Sequence, residues 1–445
     1  MLKIMLEKMK NSKGVAGVKN AAGIALRRVK ASKAPAEQYL LALDIGTEFV
    51  KALIGKIEGD GIAVVGVGRA HQELNDMQAG AISDIAAVVQ NCNQALAEAE
   101  EQAGVSVRSA VIGIAGELVK GTTLSVRCTR KDPSKPLDIE EIERIVGLVQ
   151  QRALTKAKQQ LAWELGGKEV EIRLVNSALV SIDIDGYRVT NPVGFQGRDV
   201  VVRLFAAFAP LIHIGALERT AQELDIDLLA VAAEPFAVAR SVIGDDPNAT
   251  MSAILMDVGG GTTDIAVLSD GGVQGTKMFG IGGRGFTRAI ERDLDVDFSQ
   301  AEALKLNIGT NKVPPNKTKA IEASLEKTIK VWMNGVELAL GEFTALDHLP
   351  QRLLLCGGGS SLESLTNKLE TSNWYTELPF TRKPIIQHIQ PEQVVGIVDE
   401  TGAVNDHTYI TAMGLLRVGL DTLETSSAPT STSSIRQRID RILKV

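Results

Sequence analysis

Short apolar runs separated by glycine-containing turns dominate the pattern of hydrophobic and polar positions in this chain. Strand-like runs fill residues 39–67, and a helical period of apolar residues follows from 82 to 104. Another strand is predicted at 107–116, and a strand-rich pattern starts again near Met251. Because strands alternating with helices are typical of α/β folds, the pattern predicts two α/β halves.

The first half is predicted to be interrupted. Residues 117–204 contain a strand-like run at 118–127, a helical pattern at 138–153 and a strand-rich portion at 170–203. The pattern of the first half resumes after them, so this region is predicted to be an inserted α+β domain. A mostly helical stretch similarly follows the first strands of the second half.

The predicted organisation is a basic arm, a first half with an insertion, a second half with a helical subdomain, a linker and a terminal helix. Their ranges are 1–37 for the arm, 38–116 plus 205–250 for the first half, 117–204 for the inserted domain, 251–285 plus 349–423 for the second half, 286–348 for the helical subdomain, 424–434 for the linker and 435–445 for the terminal helix.

Three glycine-rich turns carry the candidate chemistry. The run DVGGGTTD at 257–264 lies between two apolar strands, where glycines let backbone N–H groups approach an anion and Asp257 can hold a hydrated Mg²⁺. The run LALDIGTEFVK at 41–51 repeats this order of strand, Asp, Gly, Thr and strand. A third run, LLLCGGGSS at 353–361, precedes an apparent helix. The two Asp hairpins suggest similar half-folds facing one nucleotide, and together the three runs resemble the superfamily of actin, sugar kinases and DnaK-type chaperones.

Composition narrows the alternatives. An apolar fraction of 44% is ample for sizeable cores, and no apolar run approaches the length of about eighteen residues that a transmembrane helix needs. The five histidines are scattered without zinc-ligand spacing. The run GIGGRG at 280–285 matches a dinucleotide motif only formally, because it lies in mid-half. It is interpreted as an actin-like loop that brings Gly282 and Gly283 to the nucleotide.

The two ends of the chain differ from the rest. Residues 1–33 hold nine Lys or Arg and one acid, which indicates a basic arm, either disordered or a second membrane-surface element. The Ser/Thr/Pro-rich segment 424–434 is predicted to be a flexible linker. The last eleven residues form an amphipathic helix pattern that favours a membrane surface over docking on the protein itself. Its predicted membrane residues are Ile435, Ile439, Ile442 and Leu443 on the apolar face, with Arg436, Arg438, Arg441 and Lys444 around it.

Residues 38–445 resemble the FtsA family of bacterial cell-division proteins. The resemblance rests on the run DGYRVTNPVGFQG at 185–197, above all NPVG at 191–194, and on AEALK at 301–305. The run AEPFAVAR at 233–240 looks more like PilM, the actin-like protein of type IV pilus machines. PilM lacks the terminal membrane helix, so the tail favours FtsA and leaves PilM as the alternative.

The resemblance implies a role for each candidate site residue. Asp44 and Asp257 would position Mg²⁺ mostly through water, and Glu234 would orient the hydrolytic water unless it is only a carboxylate at a helix start. Glu302 and Lys305 suit the ribose and adenine edges, or form a surface ion pair. The phosphates would be lined by Gly46, Thr47 and Glu48 on one side and by Gly259, Gly260, Gly261 and Thr262 on the other, with Gly357, Gly358 and Gly359 near the α-phosphate and ribose.

The implied function is that of an ATP- and Mg²⁺-binding protein with slow hydrolysis, in which Asp257 and Glu234 are the catalytic candidates. It would polymerise at the cytoplasmic face of the cell membrane and tether the FtsZ ring there. The implied partners are the FtsZ C-terminal peptide, other copies of the chain, anionic lipids and other division proteins, and no nucleic acid. A small-molecule kinase is disfavoured because no sugar-site motif is present, and a chaperone because no peptide-binding domain follows.

Overall fold

The computed structural model describes residues 32–33, 39–244, 249–308, 310 and 312–427. The basic arm, apart from Ser32–Lys33, and the terminal helix predicted at 435–445 lie outside the described residues. None of the described helices is both long and apolar enough to cross a bilayer.

The first half-fold is a six-stranded sheet with the order β13-β8-β2-β3-β4-β19. Strands β2, β3 and β4 form an antiparallel meander, whereas β8 runs parallel to β2 and β13 parallel to β8. The bounds are β2 Tyr39–Ile45, β3 Phe49–Glu58, β4 Gly61–His71, β8 Ser109–Ile114, β13 Asp227–Ala233 and β19 Ile397–Asp399. Helix α1 (Ile85–Ala103) follows the meander and begins at Asp84, whose side chain accepts a hydrogen bond from the N–H of Ala87.

The second half-fold repeats this order inside a nine-stranded sheet, β11-β10-β12-β9-β16-β15-β14-β17-β18. Strands β14, β15 and β16 form the second antiparallel meander, and β17 and β18 continue from β14 in parallel. The bounds are β14 Ala253–Val258, β15 Thr263–Ser269, β16 Gly272–Phe279, β17 Arg352–Cys356 and β18 Ile385–His388. The chain therefore contains the same five-strand arrangement twice.

The region predicted as an insertion contributes strands β9, β10, β11 and β12 and the long helix α2. Strand β9 joins the second meander through only two residue pairs with β16. Helix α2 runs beyond the predicted end at 153, because Ala153, Ala157 and Leu161 continue its buried stripe at helical spacing. The bounds are β9 Lys120–Thr129, α2 Ile139–Glu164, β10 Ile172–Ile184, β11 Tyr187–Val189 and β12 Asp199–Pro210.

Further helices cover the sheets or rise above the second one. They are α3 Leu211–Glu223, α4 Glu234–Ile243, α5 Gly283–Leu294, α6 Phe298–Leu306, α7 Pro315–Gly341, α8 Glu363–Thr371 and α9 Ile410–Ser427, with 3₁₀ turns at Gly358–Ser361, Trp374–Glu377, Pro391–Gln393 and His407–Tyr409. The short strand pairs are β1 Ser32–Lys33 with β7 Val105–Ser106 and β5 Met77–Gln78 with β6 Ala81–Ile82.

Helix α9 lies in the core of the first half although it follows the second half in sequence. Ile410, Leu415 and Leu416 are buried in the same apolar cluster as the residues of β2. A Cβ at Gly414 would lie 2.2 Å from the carbonyl oxygen of Ala237, so glycine is needed for the close crossing of α9 and α4. The end of the chain thus returns to the first sheet and connects the two halves.

Candidate nucleotide-binding site

The two Asp hairpins have the same register. Asp44 on β2 lies opposite Lys51 on β3, and Asp257 on β14 lies opposite Asp264 on β15. In each hairpin the aspartate thus faces the residue seven positions later. The Nζ atom of Lys51 lies 2.9 Å from Oδ2 of Asp44, whereas the second hairpin places two carboxylates across from each other. The two hairpins are therefore alike in backbone and different in charge.

The tips of the two hairpins touch. A Cβ at Gly260 would lie 2.9 Å from Cβ of Glu48, and a Cβ at Gly261 would lie 2.6 Å from Oγ1 of Thr47. Only glycine permits this approach, so the glycine run is what lets the half-folds meet. The structure thus brings the predicted residues Thr47, Glu48, Gly260 and Gly261 together.

A buried cluster of carboxylates lies beneath the tips. Asp44, Glu234, Asp257 and Asp264 are buried, and Lys51 is the cation beside them. Burial raises the pKa of Glu234 well above its ordinary value, and the charges of the three aspartates raise it further. Burial opposes the charged form of Lys51, but Asp44 outweighs it and raises the lysine pKa. The cluster carries more negative than positive charge.

The second hairpin accounts for most of this imbalance. Burial raises the pKa of Asp257, although a hydrogen bond from the hydroxyl of Thr411 opposes the shift. Burial and the neighbouring charge of Asp257 raise the pKa of Asp264 well above its ordinary value. Oδ2 of Asp264 accepts a hydrogen bond from Thr262 at 3.2 Å, while Oδ1 is buried and has no hydrogen-bond partner in the part of the chain that the structure describes.

These carboxylates fit a hydrated magnesium ion. Within the described ranges no three acidic, His or Cys side chains are arranged to hold a metal ion on their own. Mg²⁺ keeps several waters and takes ligands from phosphates, so one or two carboxylates acting through water suffice. Asp257 and Asp44 would hold such an ion, which would offset the excess negative charge of the cluster.

The third glycine run closes over Asp257. Gly357 has a φ of +79°, and a Cβ there would lie 1.9 Å from Oδ1 of Asp257. A Cβ at Gly359 would lie 2.8 Å from the carbonyl oxygen of Val258. Gly358, between them, would present a Cβ to open space. The run therefore packs its first and third glycines on β14 and leaves the second facing outward.

The loop at 280–285 docks onto the second hairpin. The N–H groups of Gly283 and Arg284 donate to the carbonyl oxygens of Gly259 and Gly260, both at 2.8 Å. A Cβ at Gly282 would lie 2.6 Å from the carbonyl oxygen of Gly259. Gly282 and Gly283 thus lie at the predicted site, where helix α5 begins.

Glu302 and Lys305 lie behind this loop. Nζ of Lys305 lies 2.8 Å from Oε2 of Glu302 and donates to the carbonyl oxygen of Gly283 at 3.0 Å. The hydroxyl of Thr287 donates to Glu302 and accepts from Lys305. The ion pair between the two residues is therefore formed, and the same pair is attached to the first turn of α5 beside the glycine loop.

Sequence reasoning assigned no role to Lys51, Asp264, Thr411 or Arg284. The first two lie inside the quoted hairpin motifs, and their spacing of seven from an aspartate was the signal that could have found them. Thr411 and Arg284 gave no comparable signal, since each reaches the site from a distant part of the chain.

The fold is actin-like. Among solved structures, the PilM-PilN type IV pilus biogenesis complex superposes with a TM-score of 0.61, covering 86% of this chain and 98% of that one at 17% identity. At that identity the match shows the fold alone. The predicted α/β fold with two actin-like halves is confirmed.

The sequence comparisons find similarity to FtsA proteins. The family profile for "Cell division protein FtsA" matches residues 254–414. Cell division protein FtsA of Pseudomonas aeruginosa is 26% identical over 86% of this chain and 89% of its own length. Cell division protein FtsA of Enterococcus faecalis is 23% identical over 83% of this chain and 85% of its own length. The chain is therefore similar to FtsA proteins over most of its length, in agreement with the resemblance that its sequence motifs predicted.

Proposed function

We propose that this chain is an actin-like cell-division protein that binds Mg-ATP between its half-folds, polymerises at the inner face of the cytoplasmic membrane and tethers the FtsZ ring there. The observation that carries the proposal is the meeting of the two Asp hairpins beneath a third glycine run, in a chain similar to FtsA proteins over most of its length.

The chain's own residues account for nucleotide binding as follows. The two hairpin tips, at 46–48 and 259–261, would line the phosphates from two sides, and the ammonium of Lys51 adds a positive charge. Asp257 would hold Mg²⁺ through water, and such an ion would supply positive charge to the phosphates. Gly358 leaves room beside the third run for the α-phosphate and ribose.

Glu234 is the proposed residue for orienting the attacking water. It is buried at the first turn of α4, and a Cβ at Gly113 would come within 3.0 Å of its Oε1. Burial and the neighbouring aspartates raise the pKa of Glu234 well above its ordinary value, which favours the protonated form, and that form cannot accept a proton from water. We therefore propose slow hydrolysis, with ATP acting mainly as an assembly ligand.

The proposed docking region for the acidic FtsZ C-terminal peptide is the helical part above the second sheet. Lys312, Lys317 and Lys319 are exposed around the start of α7 and supply positive charge. The membrane contact is proposed for the amphipathic run at 435–445, which lies outside the described residues.

Nucleotide binding is tested with a fluorescent mant-ATP titration in Mg²⁺ and in EDTA. We expect the intact chain to bind mant-ATP saturably in Mg²⁺ and more weakly in EDTA. In Asp257→Asn, the difference between binding in Mg²⁺ and binding in EDTA should be lost. Absence of saturable binding to the intact chain would refute the nucleotide part of the proposal.

Membrane tethering is tested by co-sedimentation with anionic liposomes in Mg-ATP. The intact chain is compared with Ile439→Asp/Leu443→Asp, and Gln437→Asp serves as a control that adds charge away from the apolar stripe. We expect the intact chain and the control to pellet and the double variant to stay in solution. If the intact chain and the double variant pellet alike, the basic arm carries the binding. If neither of these two proteins pellets, a PilM-type scaffold role becomes the better proposal.

A further inference from the structure

Arg284 connects the two half-folds at the hairpin tips. Its backbone belongs to the second half, since its N–H donates to the carbonyl oxygen of Gly260 at 2.8 Å and it lies in the first turn of α5. Its side chain points the other way and ends among residues of the first half. A single residue thus bonds to both sides of the cleft.

The guanidinium bonds four residues of the first half, three of which are successive. Nε lies 2.7 Å from Oε2 of Glu48, and Nη2 donates to the carbonyl oxygens of Gln72 at 3.1 Å and Glu73 at 3.4 Å. Nη1 donates to the carbonyl oxygen of Leu74 at 3.3 Å. The side chain of Arg284 is only 12% exposed and that of Glu48 23% exposed, so water screens the ion pair incompletely.

The residues that accept the bonds from Arg284 are also held by contacts within the first half. The carboxylate of Glu48 also lies 3.0 Å from Nε2 of His71. The backbone carbonyl oxygen of Glu48 accepts a hydrogen bond from the N–H of Gln72 at 2.9 Å. The side chain of Gln72 in turn donates to the carbonyl oxygen of Gly46 at 3.1 Å. Glu48 is a predicted phosphate-lining residue, but its carboxylate contacts Arg284 and His71. Because Glu48 lies at the tip of the first hairpin, its contact with Arg284 links that hairpin to the second half.

We propose that Arg284 is a latch between the half-folds that slows the release of bound nucleotide. The proposal rests on the proposed nucleotide site. A nucleotide between the hairpins leaves when the tips at Glu48 and Gly260 separate, and that separation withdraws the guanidinium from all its acceptors on the first half. Arg284 is a positioning residue in this role, and it does not contact the reacting atoms.

The test measures release of mant-ADP from the full chain in Mg²⁺ after a chase with unlabelled ADP. Arg284→Gln is expected to release it roughly tenfold faster, which corresponds to about 1.4 kcal/mol, with a smaller change in the association rate. Arg288→Gln is the matched control, because Arg288 lies one turn further along α5 and bonds Glu291 of its own helix at 3.1 Å. It should release mant-ADP like the unaltered chain.

Glu48→Gln completes a double-mutant cycle. If the two side chains act as one unit, the double variant releases nucleotide no faster than Arg284→Gln alone. An unchanged release rate in Arg284→Gln, or effects of the two substitutions that simply multiply, would overturn the latch.

A nucleotide-free measurement separates failure of the latch from failure of the nucleotide site. Hydrogen–deuterium exchange of the full chain should speed up at residues 46–49 and 71–74 in Arg284→Gln and stay unchanged in Arg288→Gln. If the intact chain binds no mant-ADP, the nucleotide proposal and the retention role fail together, whereas the exchange result still decides whether Arg284 holds the half-folds together. Equal exchange in all three proteins would refute that as well.

Discussion

Replacement of Gly357 by alanine tests how the third glycine run is built. Gly357 follows β17 with a φ of 79° and a ψ of 152°, a conformation essentially restricted to glycine that costs an L-residue about 1–3 kcal/mol. The added methyl group would also lie 1.9 Å from Oδ1 of Asp257 and 2.6 Å from the carbonyl oxygen of Val258. Because the second of these atoms belongs to the backbone of β14, a side-chain rotation cannot relieve the overlap.

The expected loss of stability follows from these two terms. Overpacking of a tight interior typically costs about 1–3 kcal/mol, and with the backbone cost the free energy of unfolding should fall by roughly 2–6 kcal/mol. Gly358→Ala is the matched control for stability. It adds the same methyl group at the next position, where nothing lies within 4 Å, and should change the free energy of unfolding by less than about 0.5 kcal/mol.

The assay is urea unfolding of the nucleotide-free chain, followed by tryptophan fluorescence. Trp332 and Trp374 are both buried in the core of the second half, so they report on the part of the protein that the substitution strains. Equal unfolding midpoints for Gly357→Ala and Gly358→Ala would refute the argument, because they would mean that the tight contact with β14 relaxes at no cost.

Three further predictions concern the same site. Lys51→Met leaves the buried carboxylate of Asp44 without its cation and should lower the free energy of unfolding by about 3–5 kcal/mol, with partial recovery in Lys51→Arg, as measured by urea unfolding. The pKa of Glu234 is raised in the folded state, so the contribution of this carboxyl to stability is lost as pH rises from the ordinary carboxyl range toward the raised value. In a series of unfolding curves at different pH, Glu234→Gln should reduce this fall in the free energy of unfolding. An unchanged slope of that free energy against pH would contradict the raised pKa. Trp332→Phe removes the indole N–H that donates to the hydroxyl of Thr263 at 2.8 Å and should cost about 1–2 kcal/mol in urea unfolding. Because that hydroxyl also donates to the carbonyl oxygen of Ile281 at 2.7 Å, Thr263→Val should still destabilise Trp332→Phe, but by less than it destabilises the unaltered chain.

The sequence was sufficient for the features that depend on neighbours along the chain. The two Asp hairpins and the glycine run at 357–359 were recognisable because strand period, turn glycines and terminal carboxylates are local signals. The actin-like fold was predicted from these runs, and the resemblance to FtsA was predicted from the runs at 185–197 and 301–305 and from the tail. The comparisons confirm the fold and the similarity to FtsA proteins. Lys51 and Asp264 were visible in the same runs, but their importance depends on the strand register that puts each opposite an aspartate.

The sequence did not reveal contacts between distant segments. Nothing near Thr411 indicates that its hydroxyl bonds Asp257, and nothing near Arg284 indicates that it reaches Glu48. The packing of α9 on the first half was also missed, because its apolar stripe is compatible with either core. Each of these depends on which surfaces meet after the two sheets have formed.

The sequence by itself therefore determined the two repeated half-folds, the three glycine runs and the kind of ligand that we propose for these turns, since backbone freedom and apolar period act over a few residues. Only the tertiary structure decided the charge balance of the site and the connection between its halves. Burial sets the ionisation of Glu234 and Asp264, and the meeting of Gly260 with Glu48 brings Arg284 to its acceptors. Burial and long-range contact exist only once the chain has folded, because both depend on residues far apart in sequence.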